Sequence, residues 1–380
     1  MRRIRVLIVD DSIVVRRLVS DVLAADPALE VAGVAATGRI ALAKIPQVNP
    51  DVVALDVEMP DLDGISTLRE LRKTYPVLPV IMFSTLTERG AATTIEALTM
   101  GANDYVTKPA NVGSVTAAMS QVRDALIPKI KVLCARQLGI PVNGSPAPAL
   151  VKTVTPAGNG HPPAPAAAPL PQLATVDQCV QVLAIGTSTG GPNVLADLLT
   201  TFPENFPVPI LIVQHMPPVF TRMLADHLTA KCRVPVVEGT PGDEVRAGQA
   251  WIAPGGFHMT VAAEGQTVKI HTNQNPPENS CRPAVDVLFR SVAEIYRGGT
   301  LGVVLTGMGH DGLRGSECIR SEGGRILAQD EASSVVWGMA GAVARAGLAD
   351  GAWAVPQLAQ LILRRLQVGR PNWRPSAAQP

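Results

Sequence analysis

The sequence predicts an α/β fold made of two doubly wound parallel sheets, one in each half of the chain. Three observations predict it. Short apolar runs, among them residues 5–9, 52–55, 182–185 and 301–305, alternate with stretches of helical periodicity, the pattern of repeated βαβ units. Polar and charged residues collect just beyond the C-terminal ends of these runs, where parallel sheets carry their functional groups. Between the halves, Pro141 to Pro171 is dominated by Pro, Ala, Gly and polar residues and lacks the periodicity needed to bury a core.

In the first half, Arg5-Val6-Leu7-Ile8-Val9 reads as a buried strand ending in Asp10 and Asp11, with a helix from about Ser12. Asp51 to Leu55 is a second strand, ending in Asp56. Val80 to Phe83 is a third, ending in Ser84, and Asp104 to Thr107 is a short one, ending in Lys108-Pro109. Three carboxylates gathered at one sheet edge suit Mg²⁺, a hard cation that prefers oxygen ligands. A lysine and a hydroxyl nearby would balance the charge of a transferred phosphoryl group.

The second half opens on Val182-Leu183-Ala184-Ile185, followed by Gly186-Thr187-Ser188-Thr189-Gly190-Gly191-Pro192. Gly186-x-Ser188-x-Gly190 fits the nucleophile-elbow pattern, a tight strand-to-helix turn that exposes a hydroxyl. Pro192 suits the first turn of the helix that follows, whose free amides would favour a developing oxyanion. Pro209 to Val213 is a further strand, closing on Gln214-His215. Leu301 to Leu305 is another, followed by a glycine-rich loop carrying Asp311. Ser188, His215 and Asp311 are thus candidates for nucleophile, general base and orienting carboxylate. Their order, Ser…His…Asp, disfavours the α/β-hydrolase fold, which runs Ser…Asp…His. Taken singly, His215 could be a satisfied loop histidine, and Asp311 could cap the helix that begins near Leu313. His310 is a rival base, and His258 a candidate pocket residue. His161 falls in the Pro/Ala tract, His227 on an amphipathic helix and His271 in a strand.

The first-half constellation resembles the flavodoxin-like receiver domain of two-component response regulators. The resemblance implies that Asp56 accepts a phosphoryl group, that Asp10 and Asp11 join it in holding Mg²⁺, and that Ser84 and Lys108 contact the phosphate. It also implies a cis bond at Lys108-Pro109, matches Tyr105 to an aromatic switch position, and places Glu58 where it could alter phosphate lifetime. A receiver joined by a linker to the Gly-Thr-Ser-Thr-Gly-Gly segment resembles the chemotaxis protein-glutamate methylesterase (CheB) family. Further matches are Gln214-His215-Met216-Pro217, residues 251–256, Arg282-Pro283-Ala284-Val285-Asp286 and Leu305 to Gly309. That resemblance implies a Rossmann-like esterase domain with Ser188, His215 and Asp311 as its triad, and with Thr189 and Met308 supporting nucleophile and oxyanion. It implies methyl-accepting chemoreceptors as substrate, a histidine kinase of the CheA type as phosphodonor, and no cofactor for the esterase. It also allows deamidation of receptor glutamines.

The expected boundaries are a receiver at 1–125, a linker at 126–178, a catalytic domain at 179–368 and a disordered tail at 369–380. Residues 126–138 either continue the last receiver helix or open the linker. The 380 residues suffice for two cores. Net charge is +1 and no basic run points to nucleic acid. Five scattered cysteines, Cys134, Cys179, Cys232, Cys281 and Cys318, lack metal-ligand spacing, as expected of reduced cytosolic thiols. Asp10 and Asp11 cut short the N-terminal apolar run, which excludes a signal peptide, and no stretch is long enough to span a bilayer. A cytoplasmic protein without direct membrane insertion is expected. Two rival readings are a regulator whose second half only binds a partner, and a nucleotide-binding Rossmann-like domain. Against the latter, Gly-x-Gly-x-x-Gly spacing is absent and no acidic residue sits at the ribose-binding distance.

Overall fold

The computed structural model describes residues 2–109, 114–138 and 178–375. The Pro/Ala-rich stretch 141–171, with His161, lies outside the described residues. The first half alternates strictly: β1 (Ile4–Val9), α1 (Ile13–Ala24), β2 (Leu29–Ala35), α2 (Gly38–Val48), β3 (Val52–Asp56), α3 (Gly64–Thr74), β4 (Val80–Ser84), α4 (Glu88–Thr99), β5 (Asp104–Thr107) and α5 (Val115–Leu138). The strands form one parallel sheet in the order β2-β1-β3-β4-β5. Every residue of β3 and β4 is buried, because helices cover both faces. Ser12, Thr37, Asp63 and Thr87 cap the first four helices by accepting an amide hydrogen bond, so sequence-local chemistry fixes where each helix starts.

The second half contains β6 (Val182–Thr187), α6 (Gly191–Leu199), β7 (Ile210–Gln214), α7 (Phe220–Lys231), β8 (Val236–Glu238), β9 (Ala250–Ile252), β10 (His258–Glu264), β11 (Thr267–Asn273), α8 (Val285–Tyr296), β12 (Thr300–Val304), α9 (Leu313–Ser321), β13 (Arg325–Gln329), α10 (Met339–Arg345), β14 (Ala352–Trp353) and α11 (Val355–Gln367). Seven strands form a parallel sheet in the order β14-β13-β12-β6-β7-β9-β8. β10 and β11 form a separate antiparallel hairpin. The chain enters the sheet at β6, builds outward through β7 on one side, then returns to build outward through β12 on the other. The crevice beyond β12, β6 and β7 is therefore the topological switch point, where open α/β sheets bind ligands.

Three expectations need correction. The linker does not begin at 126: α5 continues to Leu138, because Leu126, Ile130 and Cys134 bury themselves against the core of the first half. The tail is not free from 369. Arg370 donates to the Val180 carbonyl, and the Trp373 indole donates to the Asn205 carbonyl at 2.9 Å; residues 376–380 of the expected tail lie outside the described residues. The Lys108–Pro109 bond is not cis; the cis bond among the described residues is Arg282–Pro283. Lys108 reaches its carboxylate partners from a trans backbone. Among the described residues no helix is long and apolar enough to cross a membrane.

Candidate active site

Ser188 follows β6 in a turn made possible by Gly190, at φ 78°, and closed by the Gly191 amide donating to the Ser188 carbonyl at 2.8 Å. Only glycine fits at 191, since a Cβ there would lie 2.0 Å from Gln214 Oε1. Gln214 Nε2 donates to the Ser188 carbonyl at 3.0 Å, and the Ser188 amide donates to the Thr306 carbonyl at 3.0 Å. The turn is thus fixed to the ends of β7 and β12 while the Ser188 side chain stays half-buried. Gly307 lets its loop lie against the serine; a Cβ there would come within 2.8 Å of Ser188 Cβ. Met308 follows in the same loop and is 37% exposed.

His215 lies just past β7, its amide donating to the Thr187 carbonyl at 3.2 Å. Its Nε2 is 2.8 Å from Asp311 Oδ2 and its Nδ1 is 3.5 Å from Cys281 Sγ. Asp311, buried beyond β12, also accepts from the amides of Val285 at 2.7 Å and Asp286 at 3.0 Å, and from Asn279 Nδ2 at 2.8 Å. It therefore does cap a helix, but that helix is α8 and not the one beginning at Leu313. A single carboxylate ties His215 to a helix N-terminus, where negative charge is favoured.

Burial alone would push the His215 pKa down, but hydrogen bonding to Asp311 and the neighbouring Cys281 outweigh it and carry the ring up to about 9. For Asp311, burial opposes ionisation, but the hydrogen bond to His215 and those from the Val285 and Asp286 amides carry it down to about 2. The two shifts describe one buried imidazolium–carboxylate pair. Among the described residues Ser188 makes no hydrogen bond to His215, so the structure gathers the three candidates at one crevice without closing the serine–histidine contact.

Of the other histidines, His258 is not a pocket residue. It is buried, with Nδ1 accepting from the Ala284 amide at 3.2 Å and Nε2 at 3.2 Å from the Pro276 carbonyl. His310 is exposed, His227 sits on α7 and His271 in β11. Sequence reasoning missed Asn279, Cys281 and Asp286 as parts of the site. Asp286 is fully buried and bridged to Asp311 through Asn279, whose Nδ2 donates to both carboxylates at 2.8 Å. A charged residue at a core-facing position of an apolar helix was its available signal.

In the other half, oxygens of Asp10, Asp11 and Asp56 lie within 4.8 Å of one another, a donor set that fits a hard cation. Lys108 Nζ is 2.9 Å from Asp10 and 2.7 Å from Asp56. Burial and the nearby Asp10 raise the Asp56 pKa to about 6 in spite of Lys108. Ser84 Oγ donates to the Gly90 carbonyl at 3.0 Å, and Glu58 is exposed.

The two halves meet beside the serine turn. Thr189 Oγ1 donates to Asp104 Oδ2 at 2.7 Å, Asn193 Nδ2 donates to the Leu98 carbonyl at 2.8 Å, and Arg222 pairs with Glu88. Tyr105 is buried, its ring stacked on Phe220 with centroids 4.8 Å apart. The burial of the expected switch residue thus involves a ring from the other half of the chain.

Residues 183–362 match the CheB methylesterase family and residues 6–120 the response regulator receiver domain. A protein-glutamate methylesterase/protein-glutamine glutaminase of Trichodesmium erythraeum is 53% identical over 370 residues, covering 96% of this chain and 100% of its own. Proteins with the same description from a Nocardioides species and from Maricaulis maris are 50% and 44% identical. The first covers 100% of both chains and the second 96% of each. With these residues in this arrangement, the chain belongs to the CheB methylesterase family, with a response regulator receiver domain at its N-terminal end.

Proposed function

We propose that the chain is a phosphorylation-controlled protein-glutamate methylesterase acting on methyl-accepting chemoreceptors, with protein-glutamine glutaminase activity at the same site. One observation carries the reading: the His215–Asp311 pair lies beside the Ser188 turn at the sheet's switch point. Nε2 of His215 faces Asp311, so Nδ1 is the nitrogen left to accept a proton. Ser188 Oγ attacks the ester carbonyl carbon while its proton passes to Nδ1. Met308, Thr189 and the free amides at the start of α6 support the oxyanion. Methanol departs with the proton from His215. Water, deprotonated in turn by Nδ1, cleaves the acyl-enzyme to glutamate and regenerates Ser188. For glutamine the leaving group is ammonia.

In the receiver, Asp56 is the phosphoryl acceptor, and a carboxylate oxygen forms the new bond to phosphorus. Asp10, Asp11 and Asp56 would hold Mg²⁺, which when bound neutralises phosphate oxygens. Lys108 and Ser84 answer the added charge, and a histidine kinase of the CheA type supplies the phosphoryl group. The Thr189–Asp104 and Tyr105–Phe220 contacts support a receiver that rests on the serine face until phosphorylation shifts the domain equilibrium. The esterase chemistry calls on no cofactor, and a cytoplasmic site of action fits both kinase and receptor. The deciding experiment is release of methanol from methylated receptors by purified protein. No release above a Ser188→Ala control overturns the reading.

A further inference from the structure

The turn from Glu278 to Cys281 is unusual in its backbone and in what it touches. Glu278 and Cys281 exchange both backbone hydrogen bonds, at 3.1 and 2.9 Å, while Asn279 and Ser280 between them have φ of 52° and 62°. Such turns normally use glycine or asparagine because both central residues are left-handed, and a serine held there is a backbone strain of the kind found at functional sites. The turn is anchored by Glu278, whose carboxylate takes two hydrogen bonds from Arg290, at 2.7 and 2.5 Å. Held so, it aims Asn279 at Asp311 and Cys281 at His215.

We propose that Cys281 is a positioning residue of the esterase: its thiol occupies Nδ1 of His215, the base nitrogen, and competes with Ser188 for it. This rests on the esterase reading above. An imidazole has two nitrogens, and Asp311 takes Nε2. The only protein group within hydrogen-bonding reach of the other among the described residues is Cys281 Sγ, at 3.5 Å. A thiol is a weak donor and acceptor, so it steadies the ring yet yields to a hydroxyl that closes on the same nitrogen. The charged groups around the ring are Asp311 from the β12–α9 loop, Asp286 behind it on α8 through Asn279, and Glu278, neutralised by Arg290. The β6–α6 turn brings only Ser188 and Thr189, neither of them charged. Loss of Cys281 therefore changes the proton affinity of the base while its carboxylate partner stays in place.

The test is a ¹⁵N NMR titration of the His215 imidazole in the full-length protein, assigned with His215→Ala. In Cys281→Ala, His215 should release its proton about one unit lower in pH than in the wild type. Cys281→Val, close in volume and without a hydrogen-bonding group, should move it the same way and guards against a misfolded alanine variant. The acid limb of kcat/KM for methanol release should shift with it, KM staying constant. Unchanged titrations in both variants overturn the proposal. A shifted titration in a protein that releases no methanol supports the Cys281 contact and overturns only the esterase reading.

Discussion

Thr189 Oγ1, one residue from the candidate nucleophile, donates a 2.7 Å hydrogen bond to Asp104 at the start of the last receiver strand. Asp104 is buried and also receives Lys129 Nζ at 2.7 Å and the Tyr105 amide at 2.7 Å. A hydroxyl expected to assist the oxyanion is thus held by a carboxylate of the other domain. Asp104→Asn should weaken this charge-assisted contact by about 1 kcal/mol or more. Every 1.4 kcal/mol or so shifts the open fraction about tenfold while that fraction is small. Unphosphorylated methanol release should therefore rise several-fold, and an unchanged rate would show that the contact does not hold the domains closed.

The fragment beginning near Thr175 carries the catalytic sheet with its own buried core and should outpace the unphosphorylated full chain. Phosphorylation should raise the full chain toward the fragment and leave the fragment unaffected. A fragment no faster than the unphosphorylated chain would make the receiver a docking module and not a cover.

Ser188→Ala should cut turnover by about 10⁴-fold or more with little change in Tm, because its half-buried hydroxyl makes no hydrogen bond to His215. His215→Ala should be about as damaging, since the two act as a unit. Asp311→Ala should lose activity and stability together. It leaves the α8 amides without their acceptor and Asn279 with Asp286 alone, which costs about 1–3 kcal/mol. A fully stable Asp311→Ala protein would contradict the buried network described above.

The raised His215 pKa sets a pH dependence. The folded value of about 9 lies above the ordinary histidine value of about 6.5. The ion pair's stabilisation is therefore fully present below about 6.5 and lost as pH rises through about 9. Catalysis needs the neutral ring, so kcat/KM of the unphosphorylated chain should climb about tenfold per pH unit from 7 to 8 and level off near 9. A profile flat from pH 6 upward would place the base pKa elsewhere.

Asp56 should take phosphate from acetyl phosphate only with Mg²⁺ present, and Asp56→Asn should take none. Equal labelling of the two proteins would move the acceptor to another residue.

The alternation of strand and helix, the helix start at Ser12 and the glycine turn around Ser188 were legible because each depends on a few adjacent residues. So were Asp10, Asp56, Lys108, His215 and Asp311, since strand ends in a parallel sheet are marked locally by a polar residue after an apolar run. Tertiary structure alone decided which partners these residues found. Asn279 and Cys281 sit in a turn without apolar periodicity, and they reach Asp311 and His215 because α8 packs behind the switch point. Asp104 carried no signal as an interdomain acceptor, because its partner Thr189 is 85 residues away. The extent of α5 depended on burial of Leu126 and Ile130 against a core assembled from the rest of the receiver. Local sequence specifies backbone propensity and patterning; contacts between distant segments follow from packing, which no short window of sequence contains.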